Sequence, residues 1–194
     1  TDFTIRVTST YMMDPPGTTN MGTDVLFDIR LGLFVALFMF LSSIAHFIVS
    51  TVAYQWYIEN LKNHINRARW IEYSLSSSLM IIIIAMLVGI TDLGVLISLF
   101  IVNASMIFFG WLMELYNQKT EKVVWTPFIF GCIAGLAPWI TIFTRLITAI
   151  SNSPVGVPAF VIWIFVSLFV FFNIFAVNQF IQYKKNEVWQ NYLY

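Results

Sequence analysis

The sequence predicts an all-α membrane protein, a bundle of five membrane-spanning helices with a small two-stranded β flap ahead of the first. Three observations lead there. Of the 194 residues, 59% are hydrophobic and 10% charged, with a mean hydropathy of +0.79, too little polar material to clothe a soluble globule. Five apolar runs of roughly bilayer-spanning length follow one another, at about 31–54, 70–90, 93–115, 125–147 and 159–183. Ahead of them, Phe3, Ile5, Val7, Ser9 and Tyr11 alternate with Thr4, Arg6, Thr8 and Thr10, close to the period of a half-exposed strand, with Ser9 the weak position. The expected organisation is a flap over 1–30, a bundle over 31–183 and a polar, then aromatic, interfacial tail over 184–194.

Pro15, Pro16 and Gly17 force a turn after the first strand, and the short extended piece Val25–Phe27 is placed to pair back. In the first span Ser42, Ser43, His46 and Ser50, spaced by three and four, form one polar stripe. Two readings stand for His46: a side chain satisfied by Ser42 one turn back, or a proton acceptor. Residues 55–69 carry Lys62, Arg67 and Arg69 in a polar segment read as a loop with short helical ends, where His64 is solvated.

The second span is headed by Glu72. A carboxylate there costs about 2.5–3.5 kcal/mol on insertion scales, so it must face inward to something that offsets the cost. On a helix Glu72, Ser76 and Met80 share a face, with Tyr73, Ser77 and Ser78 beside it. For the serines, close helix packing remains an alternative to function. Asp92 is placed to cap the third span, which sets Asn103, Met106, Ile107, Gly110 and Glu114 at helical spacing. Asn103-Ala104-Ser105 has the form of a glycosylation sequon, but inside a membrane helix modification is not expected. In the fourth span Gly131 and Gly135 permit close helix approach, and Pro138 is expected to kink the helix before Trp139. Arg145, near its end, reaches toward the interface. The last span carries Phe172, Asn173 and Gln179.

Charge adds orientation but no polyanionic partner. Ten basic and ten acidic residues cancel, so nothing points to nucleic acid. Lys62, Arg67, Arg69, Lys119, Lys122, Lys184 and Lys185 fall on one side of the membrane, against Arg6, Arg30 and Arg145 on the other. The positive-inside rule therefore makes the leader extracellular and the tail cytoplasmic in a multi-pass cell-membrane protein. The single Cys132 rules out an internal disulfide and any CxxC metal site, and no metal is expected. The sequence opens without Met or a basic-then-apolar leader and is expected to begin partway through a protein.

Several stretches resemble the heliorhodopsins, a family of retinal-binding membrane photoreceptors. RWIEYSLSSSLM is similar to the family's third helix, LSSIAHFIVS to its second, FGCIAGLAPWI to its fifth and SLFVFFNIFAVNQFIQYKK to its sixth. VNASMIFFGW is a further specific match, and YMMDPPGTTN resembles the loop after the family's first helix, which carries a sheet there. The resemblance implies a bundle of the rhodopsin type with inverted topology, all-trans retinal as cofactor, and a homodimer in a lipid bilayer. It implies Glu72 as counterion and His46, Ser42, Tyr73, Ser76 and Ser77 as a polar cavity for proton transfer. It implies a retinal pocket of Met80, Asn103, Met106, Ile107, Gly110, Trp139, Phe172 and Gln179. The family's first and seventh helices have no match, and the seventh bears the Schiff-base lysine. None of Lys62, Lys119, Lys122, Lys184 and Lys185 falls inside a span, so these residues contain no Schiff-base lysine.

The function expected is light sensing: retinal photoisomerisation, with proton transfer from the Schiff base driving a signalling or regulatory change, the downstream partner being unknown. The protein is not expected to be an enzyme. Two other classes are distinguishable. A channel or transporter subunit would use Glu72, His46, Asn103 and Asn173 as a polar path and would lack visible absorption. An intramembrane hydrolase would need a nucleophile and base, of which Ser77 with His46 is the available pair, and the sequence supplies no oxyanion site or metal cluster for it.

Overall fold

The computed structural model describes residues 3–120, 122–154 and 156–184. Beyond Lys184, the expected interfacial tail lies outside the described residues. Two strands, β1 (Thr4–Met12) and β2 (Met21–Arg30), pair antiparallel, from Thr4 opposite Arg30 to Met12 opposite Met21. Val7 faces Phe27 while Thr8 faces Val25, so Leu26 is the extra residue of a bulge. The alternation seen in the sequence has its consequence at Val7, which is fully buried in the core at this end of the bundle.

The flap is moored to the turn between the second and third membrane helices. Thr8 N–H donates to the Thr91 carbonyl at 2.9 Å and Thr10 N–H donates to Asp92 Oδ2 at 2.8 Å. Asp92 Oδ1 accepts the Val95 N–H at 3.2 Å, so one carboxylate both caps a helix and holds the flap. The Thr10 N–H, and after it the Val95 N–H, hold the Asp92 carboxyl below its usual range. With the folded value lowered, the contribution is present above the unfolded carboxylate range, near about pH 4, and is lost as pH falls through the folded value. Asp92→Ala is expected to speed amide exchange at Thr8 and Thr10 several-fold. Asp92→Asn, which still caps, should remove the acid-side loss of protection; an unchanged pH profile in the Asn variant would show that the carboxylate is not the mooring.

Six helices follow. The first, α1 (Leu31–Ser50), ends where the Ser50 and Thr51 hydroxyls turn back on the Phe47 carbonyl, at 3.0 and 2.6 Å. A short α2 (Tyr54–Lys62) occupies most of the segment read as a loop. Its buried Asn60 donates to the Trp56 carbonyl at 2.6 Å. Next, α3 (Arg67–Leu87) starts at Asn66, whose side chain accepts the Arg69 N–H at 3.1 Å. It stops at Gly89, where φ of 84° lets Gly89 N–H reach the Met86 carbonyl and Ile90 N–H reach the Ala85 carbonyl, both at 3.0 Å. Three long helices complete the described residues: α4 (Leu93–Asn117), α5 (Thr126–Asn152), with Pro127 in its first turn and Pro138 inside, and α6 (Ala159–Lys184).

All but α2 are long and apolar enough to cross a membrane, giving five candidate spans. Helix α3 is the hub: it packs on α1 and α4, α4 packs on α5, and with Trp70, Ser74, Ser76, Ser78, Leu79, Ile81 and Ile83–Met86 it buries more residues than any other helix among the described residues. By contrast α1 buries only Leu31, and α6 buries only Phe165, Gln179 and Gln182 among its described residues. Helix α6 meets α5 through rings, Trp139 standing edge-on to Phe165, Phe169 and Phe172 at 5.6, 5.0 and 5.5 Å. Large side chains at the contact set helices apart and leave grooves between them, which positions the site.

Candidate functional site: a carboxylate at the end of an aromatic groove

Glu72 projects from α3 toward α1, where Ser42 Oγ donates to its Oε1 at 2.8 Å. This bond joins two helices through the acid singled out in the sequence. On one side of Glu72 and Tyr73 lies a polar cavity of about 210 Å³ that also has His46, Tyr57, Asn66 and Arg69 on its wall. On the other lies a cavity of about 350 Å³, where Ser42, Glu72, Tyr73, Ser76 and Ser77 give way to Met80, Met106, Ile107 and Phe172. Met106 and Phe172 are shared with a third space of about 180 Å³ between α4, α5 and α6, lined with Gly110, Gly131, Gly135, Trp139 and Gln179. The second and third spaces adjoin at these side chains, and together they make a groove wall that is polar at Glu72 and aromatic at Trp139.

Local sequence explains the shape. Glu72, Ser76 and Met80 are four apart, so helical geometry stacks them along one wall. A Cβ added to Gly135 would come within 2.5 Å of Met106 Sδ, and one added to Gly131 within 3.3 Å of Phe109 Cβ, so the two glycines let α4 and α5 approach closely enough to build the groove floor. Pro138 is buried in α5, next to the 5%-exposed Trp139.

The structure brings the sequence-predicted site residues onto these walls, with Asn103 placed differently. Asn103 stands one layer back, 1% exposed, with Nδ2 donating to Ser77 Oγ at 2.9 Å and Ser78 Oγ at 3.1 Å. Ser77 in turn donates to the Tyr73 carbonyl at 2.6 Å. These bonds stiffen the polar wall where α3 and α4 meet. His46 lies on the polar cavity beyond Glu72, and its Nδ1 is 2.8 Å from the Ser42 carbonyl. Since that carbonyl only accepts, Nδ1 carries the proton, and in a neutral ring Nε2 is the basic nitrogen. Ser42, one turn back, is thus the hydrogen-bond partner of His46 that the first of the two sequence readings named. The hydrogen bonds of Ser77 and His46 run to these different partners, and no Ser77–His46 pair is among them.

Sequence reasoning missed a second buried acid. Glu114 on α4 is 1% exposed; its Oε2 accepts the Trp70 indole N–H at 2.5 Å and the Asn66 N–H at 3.1 Å, and Arg69 Nη2 lies 3.8 Å from Oε1. The signal was available, because the rule that marks an intramembrane acid applies to Glu114 as to Glu72. Its place near a helix end, where water would satisfy it, concealed it. Phe169 and Phe175, which also line the groove, carried no distinguishing sequence signal among so many phenylalanines.

The residues fit a long apolar ligand with one cationic end. Ligand pockets commonly span about 300–1,000 Å³, the joined groove falls in that range, and its polar end holds a carboxylate already oriented by Ser42. Among the described residues no group of three or more His, Cys, Asp and Glu is placed to hold a metal ion.

Five helices long and apolar enough to cross a membrane, packed around a groove that runs from aromatic rings to a carboxylate, define a polytopic membrane protein. The chain belongs to the heliorhodopsin family, whose model matches residues 1–194. Membership makes it a membrane protein of a retinal-based, light-sensing family. Comparison with curated proteins gives no match.

Proposed function

We propose that this protein senses light through retinal held in the groove, with Glu72 as the charge partner of the chromophore's cationic end. One observation carries the reading: Glu72 lines both the cavity that holds His46 and Arg69 and the groove that runs on to Met80, Met106 and Phe172. Bound retinal, all-trans in the dark, supplies a polyene that light isomerises and a nitrogen with an exchangeable proton. Each part of the site then has a task. Glu72 favours the charged form of that nitrogen and offsets its own desolvation by facing it. Ser42 holds the carboxylate in place, while Tyr73, Ser76 and Ser77 keep the groove's end polar. His46 Nε2 is the available proton acceptor on the far side of Glu72. Met80, Met106, Ile107, Trp139 and Phe172 grip the apolar body and exclude water, with Gly110 and Gln179 on the wall beside Trp70, and with Asn103 bracing the wall. The proton's movement changes the charge around Glu72 and biases the helices toward a signalling or regulatory shape.

The one lysine in these five spans is Lys184, the last residue of α6, and the reading places the lysine that attaches retinal on a further helix. Purified protein that includes such a helix should absorb visible light after addition of all-trans retinal. Absence of any visible band with retinal present would remove the light-sensing reading. It would favour an ion or proton path along Glu72 and His46, which the polar cavity they share also supports.

The flap is assigned to the outside, the segment with Lys62, Arg67 and Arg69 to the cytoplasm, and the working unit to a homodimer. A cysteine at the exposed Asn63 should resist impermeant thiol reagents in intact cells. Ready labelling there reverses the orientation.

A further inference from the structure

Glu114 has no task in the light-sensing reading, yet it is one of the most deeply buried polar side chains described. Its chief partner, Trp70, is itself fully buried and links three helices. The indole N–H is held by Glu114 of α4, the ring stands edge-on to Phe175 of α6 at 5.5 Å, and the benzo rim lies so close over Gly110 that a Cβ there would overlap it. One turn beyond Phe175, Gln179 Nε2 donates to the Gly110 carbonyl at 3.1 Å. Tyr73 also meets Phe175, and Trp125 and Phe128 meet this half of α6 at Phe180, but the Trp70 ring is the contact among them that Glu114 holds.

We propose that Glu114 is a positioning residue for the groove: by orienting Trp70 it fixes the part of α6 that bears Phe175 and Gln179, and so sets the groove's width at Phe172. The physical basis is asymmetry. A buried indole N–H that loses its acceptor carries an uncompensated desolvation cost, so the ring must reorient or α6 must move aside to admit water. A ring wedged between Gly110 and Phe175 cannot turn without displacing one of them. The effect on α6 stands by itself, whereas its link to colour rests on the light-sensing reading.

The test is amide hydrogen exchange of the full-length protein in lipid nanodiscs, with and without added all-trans retinal. In Glu114→Ala, exchange across 174–184 should rise about tenfold or more, as expected for a local opening, while 93–105 at the other end of α4 stays within about twofold of the parent. Glu114→Gln keeps an oxygen for the indole N–H and should restore slow exchange in 174–184. Trp70→Phe keeps the ring but removes the donor, and should speed exchange in the same segment. With retinal present, the Ala variant should show a broadened visible band and the Gln variant the parent's band. Parent-like exchange at 174–184 in Glu114→Ala overturns the proposal, as does a Gln variant that opens as fully as Ala, or a rise spread evenly over all five spans. A parent protein that forms no visible band would defeat the light-sensing reading, and the exchange data would still decide the role of Glu114.

Discussion

Replacing Glu72 with Gln in the retinal-loaded protein is expected to move the visible band to the red and to lower the pH at which the colour is lost. Glu72 is placed to stabilise a cation: Ser42 Oγ donates to its Oε1 at 2.8 Å, and both residues line the groove's polar end. Gln is nearly isosteric and keeps an acceptor for Ser42, so the variant chiefly removes charge. Without the nearby negative charge the chromophore's nitrogen holds its proton less tightly. Loss of a close opposite charge shifts such a group by about one to three pH units. Each unit corresponds to about 1.4 kcal/mol, well within reach of a titration followed by colour. The red shift follows because the positive charge, no longer pinned at one end, spreads along the polyene. A Gln variant with the parent's band and titration midpoint would return Glu72 to the polar-path reading.

Shortening Trp139 to Ala should have the largest effect at the other end of the groove. Trp139 is 5% exposed and meets Phe165, Phe169 and Phe172 edge-on, the last of which lines the groove beside it. Truncating a buried Trp costs about 3–5 kcal/mol through lost transfer energy and an unfilled cavity. Two consequences are expected together: a lower thermal midpoint in the retinal-free protein, and in the loaded protein a shifted band with faster retinal loss. A Trp139→Phe variant should recover most of the stability and only part of the retention. If the Ala variant melts lower but keeps the parent's spectrum and retinal content, Trp139 is a packing residue between α5 and α6 and nothing more.

How much of this was legible beforehand follows from which interactions are local. Bilayer-length apolar runs, the strand period over Phe3 to Tyr11 and the cap at Asp92 depend on residues near one another in the chain, so five spans and a paired flap could be read directly. The boundary errors have the same origin. Residues 55–62 are polar enough to pass for a loop, and only packing beside α1 turns them into the helix α2. The Glu72 face was legible because its members are four apart on one helix, and because an acid in a membrane run is costly wherever the chain goes next.

What the sequence by itself determined is therefore the membrane class, the spans, the flap and the polar face of α3, each set by the chain's own periodicity and the cost of charge in hydrocarbon. Only the tertiary structure decided which polar atoms meet. Ser42 reaches Glu72 across thirty positions, Asn103 reaches Ser77 across twenty-six, and Trp70 reaches Glu114 across forty-four. A buried polar group must find a partner, but its own helix does not say on which neighbour. That choice belongs to the crossing of α3 with α1 and α4, which is why Glu72 could be singled out from the sequence while the task of Glu114 could not.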